Sequence, residues 1–243
     1  MEDARVQGAS PLVECFHVRK TFEQGKDALR DVCLQVGRGE LVFVVGPTGA
    51  GKTTLCRCLL GLEPVSQGCI FIGDAHLRRL GRAELCAERR RMGFVSPDFK
   101  LVGWRTVVEN IGMPLRAAGR SNAFITERLS QVLTFVGLTG KTDAACCSLT
   151  EGERRRVCIA RAIAGDPAVL IADEPTADLD GKTAREVMDL LGEICLRGAA
   201  MIVATHDASL PSCIPGGRVA VLRGGVCRES SPPTPRARRG AAE

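Results

Sequence analysis

Gly46-Pro47-Thr48-Gly49-Ala50-Gly51-Lys52-Thr53-Thr54 fits the pattern G-x-x-x-x-G-K-[ST]. The run Leu41-Val42-Phe43-Val44-Val45 precedes it and reads as a short buried strand. Leu55 to Leu60 follows it, reads as helix and stops at Gly61. Strand, glycine loop and helix are the context in which this motif wraps a phosphate. The glycines let successive backbone N–H groups point at one anion. The helix that follows turns its positive end toward the same anion. Lys52 adds a full charge at the β- and γ-phosphates, and the Thr53 hydroxyl stands where it can ligand Mg²⁺. The stretch predicts a site for a nucleoside triphosphate.

Two further apolar runs end in polar groups suited to the same site. Ala168 to Ala172 reads as a buried strand ending in Asp173-Glu174. A carboxylate at a strand end downstream of such a loop is placed to hold magnesium, and the second carboxylate is free to polarise water. Met201 to Ala204 reads as a third buried strand and ends in Thr205-His206-Asp207. His206 there can contact a γ-phosphate, although an isolated histidine is more often structural.

Around these lie the remaining elements. Val13 to Val18 and Val32 to Val36 are predicted strands flanking the turn Glu23 to Asp27. Phe22, beside that turn, can stack on an adenine ring or sit half-buried in the core. Cys69 to Ile72 is another strand, followed by the turn Gly73-Asp74. Leu80 to Arg91 is a charged helix candidate. Met92 starts a strand that Pro97 ends. Thr106 to Ala118 has an apolar stripe of Val107, Val108, Ile111 and Leu115. Thr126 to Val136 has one of Leu129, Val132, Leu133 and Val136. These consecutive helices predict an inserted helical unit at about 98–160. Ser148 or Thr150 can cap a strong helix over Arg154 to Ala164. Val219 to Leu222 with Gly224-Gly225 predicts a closing hairpin. Residues 1–11 read as a flexible leader, 12–228 as the folded unit, and 229–243 as a disordered Pro- and Arg-rich tail.

Composition narrows the function classes. The chain has 243 residues and is 45% hydrophobic, enough for a real core, but no apolar run approaches the roughly 20 residues of a membrane span. The acidic opening Met1-Glu2-Asp3 does not resemble a signal peptide, which predicts a cytosolic protein. Among 12 cysteines, Cys33, Cys56, Cys58, Cys158 and Cys195 sit in apolar stretches and read as small buried hydrophobes. No C-x-x-C spacing points to zinc. The runs Arg89-Arg90-Arg91 and Arg154-Arg155-Arg156 read as solvated faces. Nucleic-acid binding is not expected, because aromatics are 4% and tyrosine is absent.

Taken in order, these motifs resemble the ATP-binding cassette ATPases from Val13 to Leu222. GPTGAGKTT is similar to the family's Walker A, and AVLIADEPTADLD (168–180) to its Walker B and D-loop. SLTEGERRRVCIARA (148–162) is similar to its signature and signature helix, and ATHD (204–207) to its switch histidine. The resemblance implies an α/β P-loop NTPase core, a mixed sheet flanked by helices, with an N-terminal antiparallel β subdomain and the inserted helical subdomain. It implies ATP held by Phe22, Gly46, Pro47, Thr48, Gly49, Ala50, Gly51, Lys52, Thr53 and Thr54. It implies Mg²⁺ on Thr53 and Asp173, Glu174 as general base and His206 on the γ-phosphate. It also implies a homodimer in the ATP state. There Thr150, Glu151, Gly152 and Glu153 meet the partner copy's nucleotide, and Asp180 lies at the interface.

Within the family, Pro97 to Gly119 (PDFKLVGWRTVVENIGMPLRAAG) is most similar to the cell-division branch. The lipoprotein-release and macrolide-export ATPases share the layout. That implies a station on the cytoplasmic face of a bacterial inner membrane. A membrane subunit would dock at Phe99 to Arg116 and receive the motion of dimer closure. The soluble cassette proteins of DNA repair and translation fit less well, because they carry paired cassettes or long coiled-coil insertions. Two departures stand out. Pro97 occupies the place of the family's Q-loop glutamine, and Glu151 occupies that of a signature glycine. Proline offers neither a side-chain amide nor an N–H, which implies slower hydrolysis, or at the extreme a scaffold that binds ATP and barely hydrolyses it.

Overall fold

The computed structural model describes residues 11–23 and 25–229. The leader (1–11) and tail (229–243) readings fall outside these, save at positions 11 and 229. In chain order the strands are β1 (Val13–Thr21), β2 (Asp27–Val36), β3 (Leu41–Val45), β4 (Gln67–Ile72), β5 (Ala75–His76), β6 (Met92–Val95), β7 (Val169–Asp173), β8 (Ala200–Thr205), β9 (Arg218–Arg223) and β10 (Val226–Glu229). The α-helices are α1 (Lys52–Leu59), α2 (Arg82–Arg89), α3 (Val107–Ala117), α4 (Asn122–Phe135), α5 (Glu151–Ile163) and α6 (Gly181–Leu196).

One sheet holds all ten strands in the order β5-β4-β1-β2-β10-β9-β3-β8-β7-β6. The β1, β2, β4 and β5 end is antiparallel, whereas β9, β3, β8, β7 and β6 run parallel. The parallel strands β7 and β8 are buried at every position, which is why they read as unbroken apolar runs. β2 alternates instead. Val32 and Leu34 face the core while Cys33 faces solvent, so the reading of Cys33 as a buried hydrophobe is corrected. Cys56, Cys58, Cys158 and Cys195 are buried as expected.

Helix boundaries follow their caps. The Thr106 hydroxyl accepts from the Glu109 N–H, while the Glu109 side chain accepts from the Thr106 N–H, a reciprocal box that starts α3. Val107, Ile111 and Leu115 of its predicted stripe are buried. α4 starts at Asn122, four residues before the expected Thr126, because Ser121 caps it. Thr150 rather than Ser148 caps α5, again with a reciprocal box to Glu153. α6 was not expected from the sequence. Its signal was present: Val187, Met188, Leu191, Ile194 and Cys195 are buried at helical spacing behind the cap residue Asp180.

The expected solvated face over Arg154 to Arg156 is also corrected. Arg155 is 1% exposed, on the same stripe of α5 as buried Cys158 and Ile159. Three arginines in a row cannot all face solvent on a helix that packs on both sides.

Candidate nucleotide site

The sheet order assembles the site. β3, β8 and β7 are parallel neighbours, with Val45 opposite Thr205 and Asp173 opposite Ala204. Their C-terminal ends therefore share one edge, the edge at which open α/β sheets place ligands. The glycine loop leaves β3 there, Asp173 ends β7, and His206 follows β8.

Gly51, just before α1, has φ +106, and a Cβ there would lie 2.4 Å from the Ala28 oxygen at the start of β2. No side chain fits, so the loop packs directly under the β1–β2 hairpin whose turn carries Phe22. Phe22 is exposed, with the Lys20 ammonium 4.9 Å from its ring centre. Lys52 is buried, and its Nζ donates to the Gly46 oxygen at 2.8 Å and the Pro47 oxygen at 3.3 Å. The same Nζ lies 3.3 Å from Glu174 Oε1.

Glu174 has φ +48, a left-handed conformation that a non-glycine residue adopts at a cost of about 1–3 kcal/mol. Its N–H donates to the Ala204 oxygen at 2.8 Å, which pins the turn to β8. Its Oε2 stands 2.9 Å from His206 Nδ1 and accepts the His206 N–H at 3.3 Å. One carboxylate thus ties the P-loop lysine to the histidine after β8.

Asp173 is fully buried, and neither carboxylate oxygen has a hydrogen-bond partner among the described residues. Burial raises its pKa; the nearby Thr53 hydroxyl pulls the other way without reaching hydrogen-bond geometry, and so does Lys52. An orphaned buried carboxylate beside a hydroxyl is a donor set that fits a hard divalent cation such as Mg²⁺.

The other sequence-derived candidates sit apart from this cluster. Thr150 and Glu153 are engaged in the cap of α5, whose backbone N–H at Thr150 lowers the Glu153 pKa. Glu151 lies in the first turn, where its charge acts on Arg155 one turn along the helix. A Cβ on Gly152 would meet Thr183 Cγ2 at 2.6 Å, so α5 and α6 touch there. Asp180 accepts from the Lys182 and Thr183 N–H groups and, at 2.6 Å, from the Thr183 hydroxyl. Pro97 is half-buried just beyond β6, with its oxygen toward Arg155. In the stretch Phe99 to Arg116, Phe99 lies under the Arg154 and Arg155 guanidinium groups, whereas Trp104 is 76% exposed. Away from the nucleotide edge, a groove of about 1000 Å³ runs between α2, α3, α4 and the end of α5, lined in part by Arg89, Arg91, Leu115, Arg120 and Phe124. On the β1–β2 hairpin, the exposed His17, Asp31 and Cys33 come together around a 2.9 Å hydrogen bond between His17 Nδ1 and Asp31 Oδ1.

Comparison with known proteins agrees with this architecture. Residues 29–177 match the family described as ABC transporter. The chain is 38% identical over 225 residues to the methionine import ATP-binding protein MetN of Photobacterium profundum, across 91% of this chain and 65% of that protein. It therefore spans just under two thirds of that relative's length. It is 42% identical to the phosphonates import ATP-binding protein PhnC 1 of Rhodopseudomonas palustris, across 82% of this chain and 74% of that one. It is 36% identical to the cell division ATP-binding protein FtsE of Streptococcus pneumoniae, across 90% and 96%. Among solved structures, a dimeric post-hydrolysis ATP-binding cassette bound to ADP and Pi superposes with a TM-score of 0.82, at 31% identity over 90% of this chain and 98% of that one. The chain belongs to the ABC transporter family, as an ABC-type ATPase.

Proposed function

We propose that this chain hydrolyses Mg-ATP at a site completed by a second copy, and that closure of the pair drives a membrane subunit of the FtsE–FtsX type. The observation that carries the reading is the convergence of Lys52, Asp173, Glu174 and His206 on one edge of the sheet.

Gly46 to Gly51 would cradle the phosphates with backbone N–H groups, Lys52 and Thr54 at their sides and the adenine on Phe22. Thr53 and Asp173 would hold Mg²⁺, which when bound neutralises charge on the β- and γ-phosphates. Glu174 takes a proton from the attacking water, the water oxygen bonds to the γ-phosphorus, and the bond to the β-phosphate oxygen breaks to leave ADP. His206, fixed through Nδ1 by Glu174, keeps Nε2 for the γ-phosphate. The partner copy would contribute Thr150, Glu151, Gly152 and Glu153, with Asp180 at the interface, in an isologous pair. Pro97 contributes no side-chain ligand, which supports a slower turnover.

The helical stretch 98–160 is the proposed docking unit, and exposed Trp104 supports contact at Phe99 to Arg116. The protein would then sit on the cytoplasmic face of the inner membrane through its partner. The 36% identity to an FtsE relative, with the cell-division-like stretch Pro97 to Gly119, supports that type. The 42% identity to a phosphonate import ATPase favours, as second reading, an import subunit. Phosphate release from Mg-ATP tests the enzymatic reading: turnover no higher than that of Lys52→Ala would refute it. Depletion in the source bacterium separates the two types, because a septation defect with intact uptake supports the first and lost uptake with normal septation the second.

A further inference from the structure

Arg155 is the largest fully buried side chain among the described residues, and no carboxylate there pairs with it. The acceptors found by its Nη1 and Nη2 are all backbone carbonyls, while its buried Nε has no hydrogen-bond partner among the described residues. Nη1 donates to the Ser96 oxygen at 3.0 Å and the Pro97 oxygen at 3.5 Å. Nη2 donates to the Ala177 oxygen at 3.4 Å, in the turn between Glu174 and Asp180. The guanidinium also lies 4.4 Å from the centre of the Phe99 ring.

The segment it grips is strained. Phe99 and Lys100 are consecutive non-glycine residues with φ of 56 and 52. Such a backbone persists when its surroundings over-determine it. Here α5 does so with one stripe: Arg155, then Cys158 Sγ on the Phe99 oxygen, then Arg161 on the Phe99 and Lys100 oxygens. Of the two arginines, only Arg155 also reaches Ala177; Arg161 bonds the Phe99 and Lys100 oxygens. The segment after β6 and the turn after β7 are thereby joined through one side chain on α5, the helix that Thr150 caps.

We propose that Arg155 is a positioning residue for hydrolysis, which fixes the turn carrying Glu174 relative to the segment carrying Pro97 by bonding the carbonyls of both. Pro97 supplies no side-chain hydrogen bond, so this contact runs through backbone oxygens. The inference rests on the nucleotide-site reading above.

Three variants test it. Arg155→Lys keeps the charge and most of the volume but lacks the fork that reaches two segments. It should lower kcat about tenfold with KM for Mg-ATP changed less than about threefold, the split expected when only the transition state loses an interaction. Arg155→Gln should lower kcat further. Arg161→Gln removes bonds to the same segment but none to Ala177, and should lower thermal stability with a smaller effect on kcat. A folded Arg155→Lys with wild-type kcat overturns the proposal, as does an Arg161→Gln loss of kcat equal to that of Arg155→Gln. Hydrogen exchange supplies a readout independent of turnover. Arg155→Lys should speed exchange at both 96–100 and 174–179, and Arg161→Gln at the first alone. Unchanged exchange at 174–179 in Arg155→Lys overturns the bridge even where the wild-type chain turns over no ATP, a result that would refute the hydrolytic reading separately.

Discussion

Lys52 Nζ lies 3.3 Å from Glu174 Oε1, so the P-loop lysine and the proposed base neutralise each other across the nucleotide edge. The lysine is further held by the Gly46 and Pro47 oxygens. A buried ammonium is thus fully solvated by protein. On the proposed reading, an incoming phosphate would take it from these acceptors and leave the Glu174 carboxylate free to face water.

Lys52→Ala removes the charge-assisted phosphate contact and leaves Glu174 without its cation. ATP affinity should fall about 10- to 100-fold, the equivalent of about 1.5–3 kcal/mol. Titration with a fluorescent ATP analogue measures it, and an unchanged Kd would contradict the assigned role.

Glu174→Gln keeps the shape and the contact to His206 but cannot accept the water proton. Phosphate release should fall at least about 100-fold, in the range of losing a general base. Light scattering should then report a dimer with Mg-ATP and a monomer without it. A variant that stays monomeric with ATP, even beside its membrane partner, would count against the two-copy site.

Pro97→Gln adds an amide at a position that has none. If that amide reaches the attacking water, kcat should rise about 10- to 100-fold, for about 1–3 kcal/mol of added transition-state stabilisation, with KM nearly constant. Steady-state rates decide it, and an equal or lower kcat would show that Pro97 serves the shape of the loop instead.

The 12 cysteines should sort by exposure. Cys33, Cys86 and Cys147 are exposed and should alkylate within minutes in the native state. Cys58 and Cys158, both pushed up to about 11 by burial, should resist until the protein unfolds. Peptide mass spectrometry after iodoacetamide treatment reads the pattern, and early labelling of Cys158 would contradict its placement against the Phe99 oxygen.

The sequence alone determined whatever is local. Strand, glycine loop and helix around Lys52 lie within some twenty residues, and short-range geometry dictates their form. Thr106 and Thr150 start their helices because a hydroxyl satisfies backbone N–H groups three residues on, a contact legible from spacing. α6 was equally legible from its apolar spacing and from Asp180, which caps it. Tertiary structure decided the rest. That β3 lies between β9 and β8 follows from long-range pairing, and only this order sets Glu174 against both Lys52 and His206. The left-handed turn at Glu174 depends on its bond to Ala204, thirty residues away in sequence. Within Arg154-Arg155-Arg156 nothing in the residue type distinguishes the middle arginine. Its burial depends on which face of α5 meets the carbonyls of Ser96 and Ala177, and that is a property of packing, not of the run itself.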